Sequence, residues 1–310
     1  MADGLRENKF MNIDKKKYYD PNIDRKSKIY DNAFKLVDNE MPMPSIIEIS
    51  NSGVCNRKCS FCPRSDPNYN HANEFFSNEL HDKLCDDLAK YDFSGIFAYC
   101  GFNEPLLKKD INRDIAVARK KLPNSKIEIV TNGDVLNKER LSKLFESGLS
   151  TILISVYDGK KEEDAFYELC ENLKLKKSQY VIRNRYMPEE LDFGLTLSNR
   201  AGNLENANYK ISSSNTYIDK TCTYPSYMFF VDYNGDVLMC SHDWSKEKIL
   251  GNLKKNSFFE IWKSKESKFV RKNLNNSKRC FAPCNKCDVV GDLVGKKHSV
   301  AWNNYYTKKN

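Results

Sequence analysis

The sequence predicts an α/β fold, a partial (β/α)6 barrel of TIM type that is followed by a smaller, cysteine-containing unit. Two observations support this. Between residues 45 and 204, short β-branched runs alternate with segments of helical periodicity, which is typical of parallel βα units. After about residue 205 the alternation stops, and a hairpin signal and a cysteine cluster follow. The length of 310 residues suits one large domain and a small one.

The predicted elements follow in order. Residues 1–44 form an N-terminal arm with a helix within 26–37, and Pro42 and Pro44 end it. In the barrel, residues 45–204, strands are predicted at 46–50, 95–100, 127–130, 151–156, 180–183 and 191–197, and helices at 77–90, 110–121, 138–147 and 162–175. Barrels of this type carry their functional groups at the C-terminal ends of the strands.

The C-terminal unit, residues 205–310, has a different pattern. Residues 227–231 and 237–240 flank Asn234 and Gly235, a strong hairpin turn signal. A helix is predicted at 258–273, and a cysteine cluster and a basic tail follow it. Hence this unit is expected to be small and separate from the barrel.

Composition and charge narrow the function classes. No stretch approaches the roughly 18 apolar residues of a membrane helix, and the N-terminus has no signal-peptide pattern, so no membrane contact and a cytoplasmic location are expected. Eleven cysteines in such a chain favour metal or redox use over a disulfide framework. Residues 246–310 carry 16 Lys/Arg and five Asp/Glu. This end could attract an anionic substrate or a nucleic acid, although a solvated, lysine-rich helix face is the preferred interpretation.

The first cysteine set is Cys55, Cys59 and Cys62, directly after the first barrel strand. An iron–sulfur cluster needs soft thiolate ligands that lie close together, and three of them leave one iron open to a substrate or cosubstrate. The alternatives are a structural zinc site or three unrelated cysteines. A structural zinc site closes with a fourth protein ligand, and the only histidine nearby, His71, is not expected to supply it.

This spacing, with the aromatic Phe61 before the last cysteine, resembles the signature of the radical S-adenosylmethionine (SAM) superfamily. Further family landmarks follow in the expected order. The turn from Gly101 to Pro105 is similar to the family's glycine-rich SAM-binding turn, although Asn103 stands where a second glycine is usual. Asn132, in Thr-Asn-Gly, follows the third strand, and Ser155 ends the fourth.

The resemblance implies a mechanism and a set of cofactor contacts. A [4Fe–4S] cluster on the three cysteines binds SAM and reduces it to methionine and a 5′-deoxyadenosyl radical, which takes a hydrogen atom from the substrate. Glu104 is expected to hold the SAM amino group, the backbone at Phe61 to meet the adenine, and Ser155 to bind the ribose. Gly101, Asn103 and Asn132 complete the expected SAM site. The electron donor would be a protein such as flavodoxin or ferredoxin.

The second cysteine set follows residue 205. Cys222 and Cys240 are spaced as C-x12-G-x4-C, and a terminal cluster contains Cys280, Cys284 and Cys287. This arrangement resembles the C-terminal extension of the SPASM/twitch subgroup of radical SAM enzymes. The resemblance implies one auxiliary [4Fe–4S] cluster on Cys222, Cys240, Cys284 and Cys287, with Cys280 as a possible substitute. A zinc-ribbon-like clamp is the structural alternative.

An auxiliary cluster that is fully ligated by protein suggests electron transfer. We therefore expect a radical SAM dehydrogenase that oxidises a small polar molecule, such as a sugar, an amino sugar or a cyclitol, by two electrons. Arg183 and Arg200, near the presumed barrel mouth, are candidate contacts for an anionic or hydroxylated substrate. No general base can be named.

Two alternative functions remain open. One is a SPASM enzyme that modifies a peptide or protein by thioether formation, C–C bond formation or epimerisation. The N-terminal arm is too short for the winged-helix peptide-recognition domain that many such enzymes carry, so a small molecule is preferred. The remote alternative is a zinc protein that binds nucleic acid through its basic C-terminus. The first cysteine loop argues against it.

Overall fold

The computed structural model describes residues 22–38, 40–185, 198–204 and 219–308. Its strands are β1 (Leu36–Val37), β2 (Met41–Pro42), β3 (Ile46–Ile49), β4 (Ile96–Tyr99), β5 (Lys126–Thr131), β6 (Thr151–Val156), β7 (Tyr180–Asn184), β8 (Met228–Val231), β9 (Asp236–Leu238) and β10 (Ile249–Asn252). Its helices are α1 (Asn22–Asn32), α2 (Asn78–Ala89), α3 (Ile111–Lys121), α4 (Lys138–Glu146), α5 (Lys160–Asn172), α6 (Tyr224–Tyr227), α7 (Phe258–Trp262), α8 (Lys265–Asn275) and α9 (Lys296–Lys308).

Eight strands form one sheet in the order β10-β9-β8-β3-β4-β5-β6-β7. The six strands from β8 to β7 are parallel, while β9 and β10 are antiparallel additions. The predicted partial barrel with a C-terminal extension is therefore confirmed. The parallel strand next to β3 is β8, from the predicted hairpin, and the strand predicted at 191–197 lies outside the described residues. One sheet thus continues across the predicted unit boundary near residue 205.

The outer face of the sheet is covered by helices. Every residue of β3, β4 and β6 is buried, as expected for strands that are covered on both faces. Leu84 and Leu88 of α2 are fully buried, because helical spacing puts both side chains on the sheet side. The Ser77 hydroxyl accepts a hydrogen bond from the Leu80 N–H and caps the start of this helix.

The N-terminal helix α1 packs on the other, inner face of the sheet. Side chains alternate along a strand, so Glu48 and Glu128 point to the face opposite the outer helices. Arg25 of α1 pairs with Glu128, and Lys26 Nζ lies 3.6 Å from Glu48 Oε1. The helix begins and ends earlier than the predicted 26–37, because the chain leaves it to pair β1 with β2.

The C-terminal helices also differ from the prediction. The helix predicted at 258–273 is two helices, α7 and α8, because Ser264 caps a new start by accepting a hydrogen bond from the Ser267 N–H. The basic tail forms α9, which buries Trp302 completely. The Arg271 guanidinium carbon lies 3.8 Å from the ring centre of Trp262 and 4.0 Å from that of Trp302. This stacked cation joins the last helices.

Within the described ranges, no helix is both long and apolar enough to cross a membrane.

Candidate active site and iron–sulfur sites

The first cysteine set lies in the loop after β3, at the C-terminal edge of the parallel strands. Cys55, Cys59 and Cys62 are all free, partly buried thiols that line one cleft. Burial raises the pKa of the Cys59 thiol to about 12, so a metal would have to displace this proton to bind the thiolate. In the described part of the chain, no three His, Cys, Asp or Glu side chains converge on a single ion position. A [4Fe–4S] cluster does not need this, since each iron binds its own cysteine.

Residues between the first two cysteines fix this loop to the end of β5. Asn56 Nδ2 donates to Asp134 Oδ2 at 2.7 Å, and Arg57 Nε donates to the same oxygen at 2.7 Å. Asn132, a predicted cofactor residue, donates from Nδ2 to Asn56 Oδ1 at 2.9 Å. The loop is thus held against the barrel by hydrogen bonds from its own spacer residues.

The end of β6 provides a second support. Arg57 also pairs with Asp158 at 2.9 Å and with Glu162 at 3.2 Å, and its hydrogen bonds to Asp134 and, second, to Asp158 raise the pKa of the guanidinium. Glu162 in turn accepts hydrogen bonds from the backbone N–H groups of Tyr157 and Asp158. One arginine therefore links the cysteine loop to the ends of two neighbouring strands.

The turn after β4 packs closely against β3 and β8. Gly101 has a φ of +113°, and an added Cβ would lie 3.0 Å from the Phe230 ring, so this position requires glycine. Asn103, which replaces a second glycine, donates from Nδ2 to Ser52 Oγ at 3.2 Å and also contacts Asn51 Oδ1. Its side chain joins this turn to the segment that leads into the cysteine loop.

Glu104 is the buried acid of the cleft, with 1% of its surface exposed. Oε1 accepts hydrogen bonds from Thr131 Oγ1 at 2.7 Å and from the Leu106 N–H at 3.0 Å, and Oε2 accepts one from the Asn132 N–H at 2.8 Å. Burial raises the pKa of this carboxyl, although the three donors oppose the shift. All three donors are neutral, so a cationic ligand would supply the missing opposite charge.

These elements enclose the cysteine cleft, with an empty volume of about 740 Å³. Its lining includes the three cysteines and all six predicted cofactor residues: Phe61, Gly101, Asn103, Glu104, Asn132 and Ser155. The Phe61 ring stacks on Tyr157 with 5.4 Å between ring centres, and Tyr157 shares a hydrogen bond with Ser155. Three thiols can ligate the irons of a cluster, and the buried carboxyl and the stacked rings can contact the amino group and the base of a bound amino-acid nucleoside. The residues of the cleft therefore fit a cluster with this kind of ligand.

The second cysteine set surrounds a separate small cavity, the C-terminal cavity. It is lined by Cys222, Cys240, Cys284 and Cys287, the four predicted ligands. Cys280 is exposed and does not line it. Gly291 packs so closely here that an added Cβ would lie 2.5 Å from Cys222 Sγ. The three remaining cysteines, Cys85, Cys100 and Cys170, are buried in the apolar core.

A central cavity with an empty volume of about 1400 Å³ lies between the two cysteine sites. Its lining includes the predicted substrate residues Arg183 and Arg200. It shares Phe61, Gly101, Val130, Ser155, Tyr157 and Arg200 with the cysteine cleft. It shares Tyr224 and His242 with the C-terminal cavity. The three spaces are therefore neighbours, with the central cavity in the middle.

Several residues of this cavity are not predictable from the sequence motifs. Lys26 and Tyr30 come from α1, and Glu48 comes from β3. His242 lies at the wall to the C-terminal cavity, where burial lowers its pKa to about 3 and leaves Nδ1 without a hydrogen-bond partner among the described residues. One signal was available in the sequence: Glu48 interrupts an otherwise apolar buried strand, which marks an inward-facing charge.

Comparisons with known proteins agree with this geometry. Residues 49–184 match the family model of the radical SAM superfamily, and residues 222–288 match that of SPASM, an iron–sulfur cluster-binding domain. The chain is 28% identical over 247 residues, 79% of its length and 93% of the relative, to S-adenosyl-L-methionine-dependent 2-deoxy-scyllo-inosamine dehydrogenase of Niallia circulans. It is 34% identical over 112 residues to Fe-coproporphyrin III synthase of Methanosarcina barkeri, which covers 36% of this chain and 27% of that one.

A solved structure is also similar. The crystal structure of BtrN in complex with AdoMet and 2-DOIA superposes with a TM-score of 0.68 at 25% identity, over 84% of this chain and 98% of that one. The family models, the relatives and this fold agree on the cofactors, which are SAM, a SAM-binding [4Fe–4S] cluster and an auxiliary cluster. The chain belongs to the radical SAM superfamily, as an enzyme with a C-terminal SPASM iron–sulfur domain.

Proposed function

We propose that this enzyme oxidises an alcohol carbon of a small polar substrate to a ketone, with a sugar, amino sugar or cyclitol as the substrate class. The observation that supports this most directly is the central cavity, which borders the cysteine cleft on one side and the four C-terminal cysteines on the other. A substrate there can lose a hydrogen atom toward one site and an electron toward the other. The similarity to an aminocyclitol dehydrogenase supports the same reaction class.

In this proposal Cys55, Cys59 and Cys62 hold the SAM-binding cluster, and Cys222, Cys240, Cys284 and Cys287 hold the auxiliary cluster. When bound, SAM and the two clusters would supply an acceptor for a hydrogen atom of the substrate carbon and an acceptor for one further electron. The hydroxyl proton leaves to solvent or to a base that we do not assign. The net change is the loss of two hydrogen atoms from the substrate, with one SAM consumed.

The residues of the cleft orient SAM. Glu104 holds the amino group, because its buried carboxylate is otherwise satisfied only by neutral donors. The backbone at Phe61 meets the adenine, and Ser155 binds the ribose. Asn103 and Asn132 act mainly by fixing the surrounding loops, since their side chains already bind other loop residues. Gly101 provides the room for the turn.

The charges of the central cavity favour an anionic substrate. Among the described residues, Lys26, Arg183, Arg185 and Arg200 line it, against a single acid, Glu48. We assign Arg183 and Arg200 as substrate contacts, since a guanidinium binds a carboxylate or phosphate through two parallel hydrogen bonds. A flavodoxin- or ferredoxin-like protein is the proposed electron donor.

We also propose a division of the chain into three parts. Residues 1–44 form the N-terminal arm, residues 45–204 the barrel, and residues 205–310 the unit that holds the auxiliary cluster.

The test is product stoichiometry. The reconstituted enzyme would be incubated without oxygen with SAM, a chemical reductant and a panel of neutral, amino-, carboxy- and phospho-polyols that includes 2-deoxy-scyllo-inosamine. We expect 5′-deoxyadenosine and a product lighter by two hydrogen atoms in about equal amounts, with an anionic substrate preferred. A product of unchanged mass, such as an epimer, would refute the oxidation. Arg183→Gln should lower turnover of the anionic substrate and leave uncoupled SAM cleavage intact.

A further inference from the structure

The segment 198–204 connects the two cysteine sites. Asn199 is 1% exposed, and its backbone N–H donates to Asp288 Oδ1 at 2.8 Å. Its side-chain Nδ2 donates to the backbone oxygen of Lys286 at 2.7 Å. Both partners flank Cys287, so the segment is anchored directly beside the second cysteine set.

The residues after Asn199 form a left-handed turn. Arg200, Ala201 and Gly202 have φ angles of +50°, +54° and +85°. Non-glycine residues seldom adopt this conformation, because their Cβ then lies too close to the backbone carbonyl oxygen. The turn lets the backbone N–H of Ala201 donate to the Cys287 thiol, while the Arg200 side chain extends into the cysteine cleft. Two successive residues thus reach two different cysteine sites.

Arg200 is a half-buried residue, and the charge of its guanidinium has little compensation. It lines the cleft together with Cys62, and the charges of the two groups attract each other. The positive charge of Arg185 disfavours the charged form of Arg200. The Asp288 carboxylate is attracted by Arg200, but it already accepts a hydrogen bond from the Asn199 N–H. Burial lowers the pKa of Arg200, but a guanidinium remains protonated in proteins. Its Nε has no hydrogen-bond partner within the described ranges.

We infer that Arg200 raises the reduction potential of the SAM-binding cluster, in addition to any contact with substrate. A cluster that accepts an electron gains one negative charge, and a cation that lines the same cleft as its thiolates stabilises this reduced state more than the oxidised one. The segment then acts as a shared support that sets the environment of both clusters. The inference rests on the proposed ligation by Cys55, Cys59 and Cys62.

The experiment is a redox titration, followed by electron paramagnetic resonance, of the cluster-loaded enzyme without SAM or substrate. The Cys55/Cys59/Cys62→Ala variant gives the signal of the auxiliary cluster alone. In Arg200→Gln we expect the SAM-binding cluster to titrate at a more negative potential, with about tenfold less reduced cluster at a fixed potential (~59 mV for one electron). Arg200→Lys should recover most of the shift. Arg183→Gln is the matched control, because Arg183 lines the central cavity but not the cysteine cleft, and its potentials should equal those of the wild type.

Iron and sulfide counts decide between the possible failures. An unchanged potential in Arg200→Gln with full iron content would overturn the inference. The same result with weaker SAM binding would also overturn it, and would assign Arg200 to the SAM carboxylate instead. If the triple cysteine variant kept all its iron, the ligand assignment itself would be wrong. Since no substrate is present, failure of the proposed alcohol oxidation would leave the titration result unaffected.

Discussion

Arg57 Nε donates to Asp134 Oδ2 at 2.7 Å, which ties a spacer residue of the cysteine motif to the end of β5. Asp134 also accepts from Asn56, so one carboxylate holds two successive residues between Cys55 and Cys59. These hydrogen bonds hold the cluster loop against the barrel independently of its three thiols. A preformed loop lowers the conformational entropy lost when the three thiols are gathered.

Asp134→Ala should weaken this preformed loop. Both partners are partly exposed, with side chains 18% and 26% accessible, so we expect a loss of only about 1 kcal/mol in the free energy of unfolding. The larger effect should be on cluster retention, measured as iron bound per chain after gel filtration. Lys58→Ala is the matched control, since Lys58 is exposed in the same loop. Equal iron retention in the two variants would contradict the role of Asp134.

Asn103→Gly restores the residue that is usual in the family, yet we expect it to destabilise this protein. The amide of Asn103 bridges to Asn51 and Ser52, and these bonds are lost in the variant. The cost should be about 1–3 kcal/mol in the free energy of unfolding, because the partners are buried. Denaturant unfolding of wild type and variant measures it. A variant of equal or greater stability would show that the amide bridge contributes nothing.

His298 should make the protein less stable in mild acid. It is fully buried, its Nε2 lies 2.8 Å from Ser45 Oγ, and burial lowers its pKa to about 4, with a smaller contribution from Lys297. The unfolded chain has the ordinary value of about 6.5 and so binds more protons between these two values. Stability is therefore complete above about pH 6.5 and falls toward pH 4, by about 1.4 kcal/mol between pH 7.5 and 5.5.

His298→Gln keeps a polar group near Ser45 but does not titrate. The stability of the anaerobic, cluster-loaded variant should fall less between pH 7.5 and 5.5 than that of the wild type, by about 1.4 kcal/mol. Parallel pH profiles would exclude His298 as the cause.

Local sequence patterns were sufficient for the five barrel strands β3 to β7, because β-branched runs and helical spacing are short-range signals. The pairing of β8 with β3 was not predictable in this way, since Ile46 and Met228 are distant in sequence and the hairpin signal of β8 fits either partner. The break between α7 and α8 had a local signal, the capping residue Ser264, which the helical periodicity concealed.

The residues of the candidate site also differ in whether a short-range signal predicts them. Cysteine spacing is a local property, so the sequence alone groups Cys55, Cys59 and Cys62, and these residues line one cleft in the structure. The contribution of α1 to the central cavity depends on the ion pairs that Arg25 and Lys26 make with acids of the sheet. These pairs join residues that are distant in sequence, so the polar composition of the arm does not predict where it packs.

Cys284→Ser and Cys280→Ser should separate the terminal cysteines. Cys284 is buried in the C-terminal cavity with the three other proposed ligands, whereas Cys280 is exposed outside it. A serine hydroxyl is a much poorer ligand for cluster iron than a thiolate. In the fully reconstituted enzyme, with about eight irons per chain, Cys284→Ser should retain about four and Cys280→Ser about eight. The iron that remains in Cys284→Ser should still respond to SAM in its electron paramagnetic resonance spectrum, because the first cluster is intact. Loss of iron in Cys280→Ser but not in Cys284→Ser would reverse the assignment, with the exposed thiol as the true ligand.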